Sequence, residues 1–118
     1  MKVLKDADKV LHTMDAKLDE LHKRFDEAGE KEAAEISGQV IAIIRIAGYI
    51  RHAIEDHGYF ENDYFGVTDM ACVYGYVADA RRKDREYSNA RDTWLNKGIA
   101  KGAIWACAVL EDRMEKEP

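Results

Sequence analysis

The stretch KVLKDADKVLHTMDAKLDELHKRFDEA, residues 2–28, sets Leu4, Ala7, Leu11, Met14, Leu18, Leu21, Phe25 and Ala28 at alternating steps of three and four. Side chains at that spacing fall in one stripe along an α-helix. Such a stripe is costly to leave in water, so it must be covered by other helices, from the same chain or from a second copy. The spacing predicts a first helix over Lys2–Ala28, roughly 40 Å long at ~1.5 Å per residue. Asp8, His12, Asp15, Asp19, His22 and Asp26 line one edge of it, while Lys2, Lys9, Lys17, Lys23 and Arg24 take the other side. The Asp and His edge has the residue types of a metal or proton ladder, but it reads as a solvated face without a metal site.

Gly29 is placed to end that helix in the left-handed conformation, and the apolar phase slips by one residue before Ala33. A second helix then carries Ala33, Ile36, Val40, Ile43, Ala47, Ile50 and Ile54 on one seam, with Ile41, Ile44, Ile46 and Tyr49 on other faces. It reads as buried nearly all round, and Gly38, Ala42, Ala47 and Gly48 keep it slim for a close neighbour. His57 to Gly66 reads as a loop of aromatic and acidic residues. Thr68 or Asp69 is set to cap a third helix with Val67, Met70, Ala71, Tyr74, Val77 and Ala78 inward. Ser88 or Asn89 is set to cap a fourth, with Leu95, Ile99, Gly102, Ala106 and Val109 inward, backed by Ala103, Cys107, Leu110 and Met114.

The fold class is therefore all-α: one helical domain over residues 1–118, a four-helix bundle whose two long N-terminal helices run antiparallel. The long first seam and the over-apolar second helix further predict a symmetric homo-oligomer. Composition agrees, since 118 residues with 47% hydrophobic and 35% charged side chains suit a globular domain, and the one proline is Pro118. Cys72 and Cys107 each sit among apolar neighbours and read as two small buried thiols in a reducing cytoplasm. Lys2, Lys5, Asp6 and Asp8 interrupt any leader-like apolar run, and the apolar stretch Val40–Ile50 contains Arg45 and is short for a bilayer, so a cytoplasmic, membrane-free protein is expected.

The net charge of −5 lies in the first 65 residues, which hold fourteen acids against nine cations, while the rest is balanced. Within it, Arg81, Arg82, Arg85, Arg91, Lys97 and Lys101 belong to a segment, Asp79–Lys101, with seven cations against four acids. One short basic segment on an acidic body suits a compact anion and excludes the broad basic face of a sequence-specific DNA binder. Tyr87 and Trp94 add ring faces for a base, and Trp94, Gly98, Lys101 and Trp105 share one helix face with the cation between two aromatics.

Two motifs carry resemblances. Arg51-His52-Ala53-Ile54-Glu55-Asp56-His57-Gly58-Tyr59 resembles the R-x(4-6)-H motif with trailing H-x-Y of HEPN-domain ribonucleases and toxins. That likeness implies Arg51 on a scissile phosphate, His57 as general acid or base, and Tyr59 beside them, across a dimer. Arg85-Glu86-Tyr87-Ser88-Asn89-Ala90 with Lys101-Gly102-Ala103-Ile104-Trp105-Ala106 is similar to the R-E-x-S-x-A and A-x-x-W-A pattern of helical-hairpin phage proteins that include cyclic-nucleotide sponges of the anti-CBASS and anti-Thoeris type. It covers about the last third of the chain.

The second resemblance implies an oligomeric, non-enzymatic protein, phage or mobile-element encoded, that counteracts host defence by sequestering an anionic nucleotide or by blocking a defence protein. Its ligand-binding residues would be Arg81, Arg82, Arg85, Tyr87, Arg91, Trp94, Lys97 and Lys101, with no cofactor. The alternative is the HEPN-like ribonuclease using Arg51 and His57. No E-x-x-E with E-x-x-D, paired E-x-x-H, C-x-x-C, P-loop or G-x-S-x-G motif occurs.

Overall fold

The computed structural model describes residues 2–4, 7–57, 67–86 and 92–116. It is a bundle of four helices, α1 (Ala7–Phe25), α2 (Glu30–His57), α3 (Val67–Glu86) and α4 (Thr93–Arg113), with two three-residue strands, β1 (Lys2–Leu4) and β2 (Met114–Lys116). The stretch 58–66 and the connection 87–91 lie outside the described residues.

The first helix starts later than its spacing predicts. Lys2–Leu4 instead pairs antiparallel with the residues that follow α4, Leu4 opposite Met114 and Lys2 opposite Lys116. Periodicity along one segment carries no information about a partner over a hundred residues away, and a terminal turn of helix has few backbone bonds to lose. Gly29 also behaves differently from expectation. Its φ is not left-handed; its carbonyl accepts the Ala33 N–H at 2.8 Å and so begins α2, while α1 ends in two turn bonds, Glu27 N–H to Arg24 at 3.2 Å and Ala28 N–H to Phe25 at 3.1 Å.

Most of the first seam is covered inside one chain. Ala7, Met14 and Leu21 are buried, Leu11 and Leu18 pack against the core, and Phe25 stays 44% exposed; Val10, which lies off the seam, is buried as well. The α2 seam is covered as well, with Ile36, Ile43, Ala47 and Ile50 buried. Arg24 to Glu32 at 3.7 Å and Arg51 to Asp15 at 3.5 Å join α1 to α2. Yet α2 is not buried all round: Ile41 and Ile44 are 47% and 51% exposed, and a side chain added at Gly48 would meet open space. By length and hydropathy, 1.3 over its best window, Glu30–Ala53 could cross a membrane, but 44% of that window is buried against the other helices.

The largest contact between elements joins α2 to α4. A Cβ at Gly98 would run into the backbone of Glu35, one at Gly38 would stand 2.6 Å from the Ile99 nitrogen, and one at Gly102 would stand 2.7 Å from the Cα and carbonyl oxygen of Gln39. Three glycines thus let two backbones touch, which side chains of any size would prevent. Glu35 meets Gly98 and Gln39 meets Gly102, so the contacts advance together and the two helices run in the same sense. Lys101 Nζ on Glu35 at 3.1 Å straps the crossing from outside.

On α3 the inward stripe differs from the expected one. Met70, Val73 and Ala80 are buried with Tyr76 and Val77 beside them, whereas Ala71 and Ala78 are exposed and Tyr74 is 48% exposed. Alanine and tyrosine occur on both sides of this helix, so an apolar count cannot choose its face. On α4 the inward residues are as expected, with Gly102, Ala103, Ala106, Cys107 and Leu110 buried. Its N-cap is Asp92, which makes no side-chain capping bond; the expected caps Ser88 and Asn89 lie outside the described residues.

Candidate functional site

Because α2 and α4 run in the same sense, their first turns sit side by side. Helix starts carry partial positive charge and unsatisfied N–H groups, so two adjacent starts make a local preference for anions. Between them lies a hollow of about 410 Å³ lined by Glu30, Lys31 and Ala34 of α2 and by Asp92, Trp94 and Leu95 at the start of α4. Trp94 is its half-buried plate. Lys97 Nζ stands 4.9 Å from the ring centroid and Lys31 Nζ 5.5 Å. The hollow therefore offers an aromatic face, the Lys31 ammonium group and two carboxylates that accept from hydroxyls or amines, with the Lys97 ammonium group beside the same ring.

Of the residues expected to bind a ligand, the structure brings Trp94 and Lys97 together here. Lys101 does not stand between the two tryptophans: it bonds Glu35, and the cation over Trp105 is Lys17 of α1, 5.7 Å from the centroid. Arg82 is clamped on its own helix by Asp79 at 2.7 Å and Glu86 at 2.9 Å, and Lys83 joins Asp79 at 3.2 Å. These bonds hold the Asp79 carboxyl below its ordinary pKa and raise that of Arg82. Arg81 and Arg85 are exposed on the last turns of α3. Tyr87 and Arg91 lie outside the described residues.

Lys31, Glu30 and Asp92 were not legible as site residues. Lys31 is 63 positions from Trp94, the same offset that separates Glu35 from Gly98 and Gln39 from Gly102. That shared register, seen at Gly98 and Gly102, is the signal that leads to it.

For the ribonuclease motif, Arg51 is exposed and paired with Asp15. His57 is the last residue of α2, and its side chain, like Tyr59, lies outside the described residues. Among the described residues no group of three His, Cys, Asp or Glu side chains converges as a metal site, the Asp and His edge of α1 included. A second hollow, about 430 Å³, joins Asp8, Lys9, His12 and Thr13 of α1 to Arg113; its one ring is the small imidazole of His12.

The cysteines differ from each other. Cys107 is buried and its thiol donates to Glu111 Oε1 at 3.2 Å; burial first, then this carboxylate, pushes its pKa up to about 12. Cys72, expected to be buried, is exposed because α3 turns Val73 to the core instead. With a thiol reagent at about pH 8, Cys72 should react fast and Cys107 only on unfolding, since the thiolate is the reactive form. Two fast equivalents in the folded protein would contradict this geometry.

Comparison with protein-family models, curated proteins and solved structures finds no match to this chain.

Proposed function

We propose that this chain is a non-enzymatic helical binding protein of phage or mobile-element type that sequesters a small anionic nucleotide in the cytoplasm. In this reading α1 and α2 form an antiparallel hairpin and the protein works as a symmetric homo-oligomer. The observation that carries it is the Trp94 ring in the 410 Å³ hollow at two helix starts, with Lys31 on the lining and Lys97 against the same ring. A base stacks on the ring, the ammonium groups and helix starts attract phosphate, and Glu30 or Asp92 accepts from a ribose hydroxyl or a base amine. A hollow of that size favours a small molecule over the surface of a host defence protein.

The test is thermal shift and calorimetry with mono-, cyclic di- and cyclic trinucleotides, followed by recovery of the ligand. A nucleotide at a hundred times its Kd stabilises the fold by about 2.7 kcal/mol, a rise in Tm of roughly 10 °C for a domain this small. The ligand should be recovered intact. No shift with any member of the panel removes the nucleotide reading, and recovery of a cleaved ligand removes the non-enzymatic one.

A further inference from the structure

On α2, apart from its buried seam, Glu30, Ala34, Ser37, Ile41, Ile44, Gly48 and Arg51 recur at steps of four and three, a second heptad stripe. Its centre is apolar and uncovered, Ile41 and Ile44 being about half exposed, and Gly48 opens onto space. The other glycine in the body of this helix, Gly38, is filled by the backbone of α4. Gly48 is the same kind of notch with nothing in it.

We propose that this stripe pairs with the same stripe of a second copy, antiparallel about a two-fold axis, and that the protein is a dimer through α2. In an antiparallel seam the two kinds of heptad position face each other. The register that centres the isoleucines sets Ile41 of one copy against Ile44 of the other, Ser37 against Gly48, and Ala34 against Arg51. Large residues then meet at the centre, and small ones on either side let the backbones approach, as the glycines between α2 and α4 do within one chain.

Charge selects the direction. Antiparallel pairing brings Arg51 of each copy, which in its own chain lies 3.5 Å from Asp15, within one turn of Glu30 in the other, so opposite charges approach at both ends of the seam. Parallel pairing would stack Arg51 on Arg51 and Glu30 on Glu30, which repels. Glu30 also lines the Trp94 hollow. On the binding reading above, Arg51 of the second copy would offset the carboxylate that most opposes a phosphate there; the dimer itself does not depend on that reading.

The stripe from Glu30 to Arg51 is about 32 Å long and one helix wide, near the ~1,000 Å² lower bound of specific interfaces, so dissociation in the micromolar range is expected. Sedimentation from about 5 to 200 μM should show the mass rising from 13.5 kDa towards twice that value. Ile44→Glu should stay at the single-chain mass throughout, with its helical content kept and the Tm of the parent at its lowest concentration, because that side chain is half exposed in the lone chain. For the register, Ser37→Cys with Gly48→Cys in a Cys72→Ser background should oxidise to a covalent dimer. Ser37→Cys alone should not, since the two copies of position 37 lie roughly 16 Å apart along the axis.

A single-chain mass for the parent at every concentration overturns the dimer, and binding of that monomer to phosphatidylcholine vesicles would assign the stripe to a membrane surface instead. A dimer that survives Ile44→Glu overturns the surface. Cross-linking by Ser37→Cys alone overturns the antiparallel direction.

Discussion

Gly98→Ala should cost the protein about 3 kcal/mol or more and lower its Tm by roughly 10 °C or more, although alanine is the better helix former by ~1 kcal/mol. The added methyl would occupy the place of the Glu35 carbonyl group, and what it meets is backbone, not the yielding end of a long side chain. Relief requires α2 and α4 to separate, which opens the contact that buries Gly102, Ala106 and Gln39. Gly75→Ala is the matched comparison, because Gly75 lies within α3 with nothing near its missing Cβ, and there the same exchange should stabilise by up to ~1 kcal/mol. Thermal and urea melts of the two variants decide the matter. A Gly98→Ala protein that melts beside the parent would mean that α2 and α4 do not touch through their backbones.

Trp94→Ala should weaken nucleotide binding by roughly ten- to a hundredfold, the loss of one stacked base at ~1–3 kcal/mol. The ring supplies the one flat surface in the hollow, and Lys31 and Lys97 take their positions against it. Replacing both lysines by alanine should cost affinity of a different kind, large at low salt and small at high salt, since their attraction to phosphate is screened. Calorimetric titration of parent and variants at two ionic strengths separates the contributions. Equal affinity in Trp94→Ala would move the ligand elsewhere, whereas no binding by the parent is the failure already described for the function itself.

The helices could be read from the sequence because burial leaves a period in it. The 3-4 spacing of Ala7, Leu11, Met14, Leu18 and Leu21 names α1 and its inner face, and the small residues at Gly98, Gly102 and Ala106 announce a close neighbour for α4. What stayed hidden is what periodicity does not encode. Lys2–Leu4 leaves the helix for a strand partner at the far end of the chain, Tyr74 counts as apolar yet lies outside, and Ile41 and Ile44 are as greasy as the buried Ile43 beside them. The candidate site is half legible on the same grounds. Trp94 and Lys97 are neighbours in sequence and stand together in the structure, whereas Lys31 reaches them only through the packing of two helices. Arg82 and Lys101 looked like free cations because their acids, Asp79, Glu86 and Glu35, stand one turn away or across the helix contact.

The glycine contact between α2 and α4 also shapes how the chain must assemble. α1 meets α2 across a short turn, a local event that costs little loop entropy, while the main interface joins segments some sixty residues apart and waits for α3 to bring the chain back. The nucleus is therefore expected in the N-terminal half, and the slow step is the arrival of α4, whose bare glycine face has no use until Gly38 is there to receive it.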